Sequence, residues 1–452
     1  MVDASMGYGY RAESISDVAA SLELAAETGR RLAARGSGYS YGDTALNAEN
    51  IVLDMTRMNR ILSWDPNAGL LKAEPGVTIG DLWRRTIRDG YWPPVVPGTM
   101  HPTLGGCLAG NVHGKNNWRA GTMLDVLVTA EMMLPSGEVV EMRPDRDADL
   151  TAVAIGGLGL VGVFVSATLH LERVSSGLLE VEQRNASSLS ELFDLFDGQR
   201  DAAYLVGWID GFASGDSLGR GLVQAARHAN GHPGQGFDPA EQDLPPNVFG
   251  IVPRAQLWRG MKLTVNDTGM RALNAARFAS GALGSGRRTL TPLARFHFFH
   301  DYVPNWKWSF RPGGILQYQV FAPKATASAL FADLLRRGQE EGLVPYLVVM
   351  KAHREDAETL LAYNLDGYSL SLDFHATPAN VGRLRAVLAR WTDDLVAPAG
   401  GRFYLAKDSV LSAAQTRRMW GDERVDEFIS WKRRLDPQHV LQTDLYRRVF
   451  RS

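Results

Sequence analysis

Two glycine-dense stretches hold the residues whose types and spacing could do chemistry in this chain. The first is Arg35-Gly36-Ser37-Gly38-Tyr39-Ser40-Tyr41-Gly42-Asp43, and the second runs from Pro97 to Gly121 and carries His113, Lys115 and Asn116. Gly36, Gly38 and Gly42 in one, and Gly105, Gly106, Gly110 and Gly114 in the other, let the main chain lie close against a ligand. Free N–H groups in such turns form nests suited to a pyrophosphate. Neither stretch matches GxGxxG between a strand and a helix, or GxxxxGK[ST], so an ordinary dinucleotide or P-loop site is not supported. A second set lies far downstream. In the apolar run Ile315 to Phe321, alternation puts Gln317 and Gln319 on one face with Ile315 and Phe321, and Leu316, Tyr318 and Val320 on the other. Lys351 ends the next expected strand, and Tyr404 with Lys407 ends the last. Each alone reads as a surface residue, but polar groups gathered at strand ends make a substrate wall.

Composition narrows the class of protein that must position these groups. With 452 residues, 45% hydrophobic and 22% charged, the chain is long enough for sizeable cores in more than one domain. A net charge of −2 gives no electrostatic reason to bind nucleic acid. Cys107 is the only cysteine, so there is no intrachain disulfide and no multi-cysteine metal site, and it reads as a packed, inert thiol. No metal is expected. The N-terminus has no apolar core of a secretory signal. Leu150 to Leu171 carries no formal charge and is long enough to span a bilayer, but its glycine cluster and β-branched second half read as a turn feeding a buried strand.

Taken in order, the chain predicts a helix capped by Ser16, with Val18, Leu22, Ala25 and Ala26 inward and Gly29 at its end. Short strands follow at 30–34, 50–55, 60–64 and 69–74, then a helix from a Thr78 cap to Asp89, ended by Gly90. Strands at 126–133 and 138–142, a helix at 150–154 and a strand at 161–171 complete an α+β N-terminal region. The texture changes near Val174. A helix at 188–196 and a strand at 204–209 precede a polar, mobile stretch from Gly231 to Pro246, which continues to Gly286 as a weakly ordered cover. Then come a strand at 314–321, a helix at 325–341, strands at 345–351 and 368–374, a helix at 378–395 with Pro378 in its first turn, and a strand at 402–406. That order predicts an antiparallel sheet with helices on one face.

At this point the motifs reach a family. RGSGYSYGD, PGTMHPTLGGCLAGNVHGKN, GGLGLVGV, GILQYQ, FYLAKDS and DPQHVLQTDLYRR span most of the chain. On them it resembles the flavoprotein oxidases of the vanillyl-alcohol oxidase, or PCMH, fold, and among these the decaprenylphosphoryl-β-D-ribose 2′-oxidase family of arabinan biosynthesis. The resemblance implies an α+β protein with a two-subdomain PCMH-type FAD-binding domain over 1–175. It implies a substrate, or cap, domain over 176–401 whose antiparallel sheet is flanked by helices, and a return to the FAD domain over 402–452.

The implied cofactor is FAD. Its implied contacts are Arg35, Gly36, Ser37, Gly38, Tyr39, Ser40, Tyr41 and Gly42 in the first loop, and Pro97, Gly98, Thr99, Thr103, Leu104, Gly105 and Gly106 in the second, with the pyrophosphate between them. His113, Gly114, Lys115 and Asn116 would run near the isoalloxazine, and Gly159 and Val163 near the adenosine half. Ala109, Asn111, Gly121, Gly162 and Tyr404 complete the cofactor set. Many relatives attach FAD through a histidine in Gly-His-Ser, but this chain has Gly38-Tyr39-Ser40, which implies non-covalent FAD. The same matching puts Gln317, Gln319, Lys351, Ser371 and Lys407 on the substrate, with Ser371 standing where that family has a cysteine.

The implied chemistry is hydride transfer from a secondary alcohol to flavin N5, giving a ketone. Lys407, Tyr41, His113 and Tyr404 are the implied catalytic residues. Lys407 would act at the developing anion, or as a base if burial lowers its pKa, against the plain reading of a Lys407–Asp408 pair at the domain edge. Tyr41 or Tyr404 would position the hydroxyl proton, and His113 either takes part or only braces its loop. The implied substrate is sugar-like, with polyprenylphosphoryl-ribose oxidised at its C2′ hydroxyl as the family's case and a partner reductase to complete an epimerisation. Free sugars, alditols or a natural-product glycoside, an NADPH-dependent reductase, and a flavin-binding protein without turnover are the alternatives. Localisation reads as cytoplasmic or periplasm-facing without a signal peptide, with peripheral membrane contact at most through Trp258, Met261 and Leu263.

Overall fold

The computed structural model describes residues 3–248 and 250–451. Near the N-terminus, Tyr8–Arg11, Ile51–Asp54 and Leu32–Arg35 form a parallel three-stranded sheet. The helix Ile15–Glu27 packs on it through Val18, Leu22 and Ala25. Its cap is Ser14, not Ser16, because the Ser14 side chain accepts from the Asp17 amide while Asp17 answers the cap N–H; Ala26 is exposed. A second, antiparallel sheet has the order Ile61–Asp65, Leu70–Ala73, Val163–His170, Leu127–Met133, Val139–Met142. Val163–His170 is paired on both sides and almost wholly buried, so the uncharged segment before Leu171 is a helix, a glycine turn and a core strand. Among the described residues, no helix is long and apolar enough to cross a membrane.

An eight-stranded antiparallel sheet dominates the remainder. Its order is Arg288–Pro292, Leu178–Ala186, Gly221–His228, Tyr204–Ile209, Leu347–His353, Gly367–Ala376, Gly314–Pro323, Arg402–Phe403. Three of these strands, Arg288–Pro292, Leu178–Ala186 and Gly221–His228, fall outside the sequence expectation. Helices Leu189–Asp197 and Lys324–Glu340 cover one face, the latter through Leu330, Phe331, Leu334 and Leu335. The opposite face looks toward the glycine stretches. The architecture is therefore α+β, two smaller N-terminal sheets joined to a large antiparallel sheet flanked by helices.

Several expectations change. The second glycine stretch is not all loop: Leu104–Ala109 is a helix that buries Leu104, Cys107 and Leu108. Pro378 lies outside its helix, which runs Val381–Trp391 from an Asn380 cap and ends in a π-helical turn. The last strand stops at Phe403, and Leu405–Lys407 is a 3-10 turn. The expected loose cover contains the helices Leu257–Thr264 and Asp267–Leu283, the second capped by Asn266.

The C-terminal tail returns to the first sheet, where Leu441 bridges Leu32 and the Leu32 amide donates to Val440. Arg448 fixes that return by donating to both carboxylate oxygens of Asp43, at 2.8 and 2.9 Å, and to Asp408 at 2.8 Å. The Asp408 side chain is 2% exposed and that of Asp43 13%. Arg448→Met leaves both carboxylates buried without their cation, and we expect it to cost about 3 kcal/mol or more in urea unfolding. Asp408 is thus Arg448's partner, and the Lys407–Asp408 pair weighed as the plain alternative for Lys407 is not formed.

Candidate functional site

One cavity of about 480 Å³ runs between the glycine stretches and the open face of the eight-stranded sheet. The pleat explains its floor. Alternate residues share a face, so Gln317 and Gln319 look into it, joined by Ser369, Ser371 and Asp373 from one neighbouring strand and Leu347, Val349 and Lys351 from the next. Gln317 stands opposite Asp373, and Gln319 opposite Ser371.

The near end of that floor is densely polar. Gln317 donates to Asp373, which is buried, and burial pushes the Asp373 carboxyl up to about 6 against the opposing pull of Gln317, Lys407 and Lys307. Lys407 is partly exposed and lines the cavity, and burial pushes its ammonium down to about 8 while Asp373 resists the shift. Its Nζ lies 5.1 Å from the Tyr41 ring centroid, with Lys307 5.4 Å from the same ring. Burial holds Lys351 well below the ordinary lysine range, and the charges of Lys407 and Lys115 add to the effect. Burial also brings Lys115 down to about 7, its Nζ donating to the Phe296 carbonyl.

His113 is held by a directed chain. The Tyr363 hydroxyl donates to the Asn111 carbonyl at 2.6 Å, so its oxygen accepts from His113 Nδ1 at 2.8 Å. That leaves Nε2 as the acceptor facing the Gln319 amide at 3.4 Å. Burial, reinforced by Lys351, keeps the ring neutral by holding its pKa well below the histidine range. The arrangement braces Gln319. Tyr404 packs against Tyr363 at 4.3 Å and His113 at 5.4 Å, and burial raises its phenol, as it does that of Tyr41.

The opposite wall is backbone. Gly36, Ser37, Gly38, Tyr39, Ser40 and Tyr41 line the cavity, as do Pro97, Gly98, Thr99, Thr103, Gly106, Ala109, His113 and Tyr404. Tyr39 stacks on His101 at 5.2 Å. The loops are locked to the cap and to the C-terminal segment. The Tyr41 amide donates to Ala406, and Thr99 donates to Asp301 at 2.6 Å, with the Met100 amide on the second oxygen.

Other candidate cofactor residues stand behind this lining. Arg35 curls under Gly38, Gly42 presses on the Asp408 carbonyl, and Leu104 and Val163 are core. Gly105 packs on Pro75, Gly114 on Asn116 and Val96, Gly121 against Asp125, and Gly162 on Met132. Asn111 donates to Asp356 and accepts from the Leu124 amide, Asn116 donates to the Pro94 carbonyl, and Gly159 takes φ +72 in its turn. Cys107 is fully buried, and burial pushes its thiol to about 12, which makes it inert.

Asp373, Tyr363, Asp301 and Lys307 belong to this constellation and lie outside the sequence expectation. For Asp373 a signal existed, since it stands two residues beyond Ser371 on the same face. The donor set fits FAD. Glycine loops line one wall, and the Gln317 and Gln319 amide oxygens on the opposite floor have no partner among the described residues.

Comparison with known proteins agrees. Residues 9–143 match the family model described as an FAD binding domain. The protein is an FAD-dependent oxidoreductase acting on CH–OH groups, with a PCMH-type FAD-binding domain. Within that class it lies near decaprenylphosphoryl-β-D-ribose oxidase: the Mycolicibacterium smegmatis protein of that name is 28% identical, over 98% of this chain and 96% of its own. L-Gulonolactone oxidase of Mus musculus is 26% identical over 36% of each chain, and D-lactate dehydrogenase of Anaerostipes hadrus 28% over 35% of each.

Proposed function

We propose that this enzyme oxidises a secondary alcohol of a sugar-like substrate to a ketone, with FAD held non-covalently. In this reading 1–175 and 402–452 form the flavin half, and 176–401 the substrate half. The observation that carries it is the polar floor of Gln317, Gln319, Lys351, Asp373 and Lys407 directly across one cavity from the glycine loops.

Bound FAD supplies the hydride acceptor. The chain's own residues handle the alcohol. The partnerless amide oxygens of Gln317 and Gln319 accept from substrate hydroxyls, and His113 keeps Gln319 from rotating. Lys407 takes the proton of the reacting hydroxyl, since an amine with a pKa near 8 is matched to that task near neutral pH. Asp373, fixed by Gln317, holds the Lys407 ammonium that results. Tyr41 covers the same ammonium with its ring, and Tyr404 packs His113 in place. The loops around Tyr39 and Thr99 hold the cofactor.

The similarity over nearly the whole length to decaprenylphosphoryl-β-D-ribose oxidase supports a polyprenylphosphoryl-ribose as the finer assignment, with C2′ as the carbon oxidised and a separate reductase downstream. Free sugars, alditols or glycosides are the second reading, supported by Ser371 in the substrate floor. Anaerobic mixing separates them: we expect the yellow colour to bleach with the true substrate and not with NADPH. A flavin that no sugar, alditol or prenyl-phosphate sugar can bleach would remove the proposal. Tyr39 offers no histidyl attachment, so acid precipitation is expected to leave all of the flavin in the supernatant. Colour in the pellet would overturn non-covalent binding.

A further inference from the structure

The cavity continues far beyond the polar floor. Gln319, Ser371, Val349, Trp208 and Leu222 stand side by side on five adjacent strands and all face it. Gln319 and Trp208 are three strand spacings apart, about 14 Å at ~4.8 Å each. Along that distance the floor turns from amide and hydroxyl to aliphatic and indole.

Above the far end, helix Asp267–Leu283 lays Arg277 over the floor. Its guanidinium carbon is 4.8 Å from the Trp208 ring centroid and 5.2 Å from that of Phe299. Among the described residues no carboxylate pairs with it, and burial alone acts on its charge. A guanidinium carries five in-plane donors, and rings against it leave that edge free. The contrast with its neighbour is instructive, because Arg295 spends its Nη2 on the Glu241 and Asp243 carbonyls. Gln224 and Gln183, bonded to each other at 3.3 Å, add polar groups to the same end of the floor.

We infer that Arg277 is a specificity-determining residue, binding an oxyanion, phosphate or carboxylate, at the end of an apolar spacer whose other end presents the oxidisable sugar. The inference rests on the sugar-alcohol reading above and, within it, favours an elongated glycoside, since a polyprenylphosphoryl-ribose carries no anion beyond its apolar chain. Gln319, at the sugar end, is three strand spacings from Trp208, a span longer than one sugar ring with a phosphate bonded directly to it. The far subsite therefore selects an elongated substrate with a second, distal anion.

The test is calorimetric titration of the FAD-loaded protein with octyl phosphate, octanoate and 1-octanol, in wild type, Arg277→Gln and Arg277→Lys. We expect the Gln variant to bind octyl phosphate about tenfold more weakly, the Lys variant to recover part of that loss, and octanol to bind all three alike. Octanoate following octyl phosphate assigns any oxyanion, and octanoate indifferent to the substitutions narrows the subsite to phosphate; both support it. Equal binding of octyl phosphate to wild type and the Gln variant, at equal flavin content, overturns it. If sugars bleach the wild-type flavin while that equality holds, the subsite falls and the substrate reading stands. If octyl phosphate depends on Arg277 but no sugar bleaches the flavin, the sugar reading falls and the subsite stands.

Discussion

Lys407→Met is expected to slow flavin reduction by substrate about a thousandfold while the protein keeps its flavin. The methionine fills the same space over the Tyr41 ring but neither accepts a proton nor carries a charge toward Asp373. Stopped-flow bleaching under anaerobic conditions reads the rate, and the visible spectrum reads the flavin content. The pH dependence tests the role. With its pKa pushed down to about 8, Lys407 is mostly protonated at neutral pH and becomes a free base above that value. The wild-type rate should therefore rise with pH along a one-proton limb centred near 8, and that limb should vanish in the variant. A wild-type rate that falls over the same interval would give Lys407 the cationic role instead.

Stability provides the control for that experiment. A lysine whose folded pKa lies below its ordinary 10.5 binds its proton more tightly in the unfolded chain, so its contribution to stability declines as pH falls from 10.5 through about 8. Removing the amine removes that liability. Lys407→Met should melt no lower than wild type at pH 7, which separates lost chemistry from lost fold.

What the sequence shows of this site follows from locality. Gln317 and Gln319 stand out because an amide in an apolar strand is a local anomaly, and period-two alternation places both on one face. Asp373 carries only a weak mark, its place two residues beyond Ser371 on the same face. It closes the run Ser369-Leu370-Ser371-Leu372-Asp373, where a carboxylate reads as the solvent end of a strand. Its meaning comes from the register that sets it opposite Gln317, 56 residues away in the chain. Tyr363 is harder still, because it lies between strands with no periodicity around it, and only the bonds to His113 and Asn111 give it a role.

The missed helices have a different cause. Asp267–Leu283 buries only Asn274 and Gly281, so the apolar stripe by which a helix is read is missing. It roofs a cavity and packs on little. Leu104–Ala109 fails the opposite way, since Gly105 and Gly106 have poor helix propensity. Burial of Leu104, Cys107 and Leu108 overrides that, and Gly105 is needed because a Cβ there would meet the Pro75 side chain at 2.7 Å. Part of the glycine density that reads as a ligand nest is therefore close packing between a helix and a turn.

Gly36 is the position where close packing and the ligand wall coincide, and Gly36→Val is expected to yield protein that purifies without flavin. A Cβ on Gly36 would lie 2.1 Å from the Thr103 hydroxyl oxygen and within 3.3 Å of the other Thr103 side-chain carbons. Thr103 cannot retreat. It is 2% exposed, stands at the N-cap position of the helix Leu104–Ala109, and its flanking backbone is pinned on both sides, where Ile79 donates to Pro102 and Leu104 donates to Val77. The strain must move the first glycine loop instead, and that loop lines the cavity from Gly36 to Tyr41. The core beneath is untouched, so the apoprotein should still fold but lose the stabilisation that bound FAD adds by mass action. We expect affinity for FAD to fall at least a hundredfold, read as the ratio of flavin to protein absorbance after gel filtration, and added FAD to raise the melting temperature of wild type but not of the variant. Thr103→Ala removes the obstructing hydroxyl and methyl, so in a Gly36→Ala background it should restore flavin that Gly36→Ala alone has lost. Failure of that rescue, with both proteins folded, would mean that the two loops do not meet at Gly36 and Thr103 to form the cofactor wall.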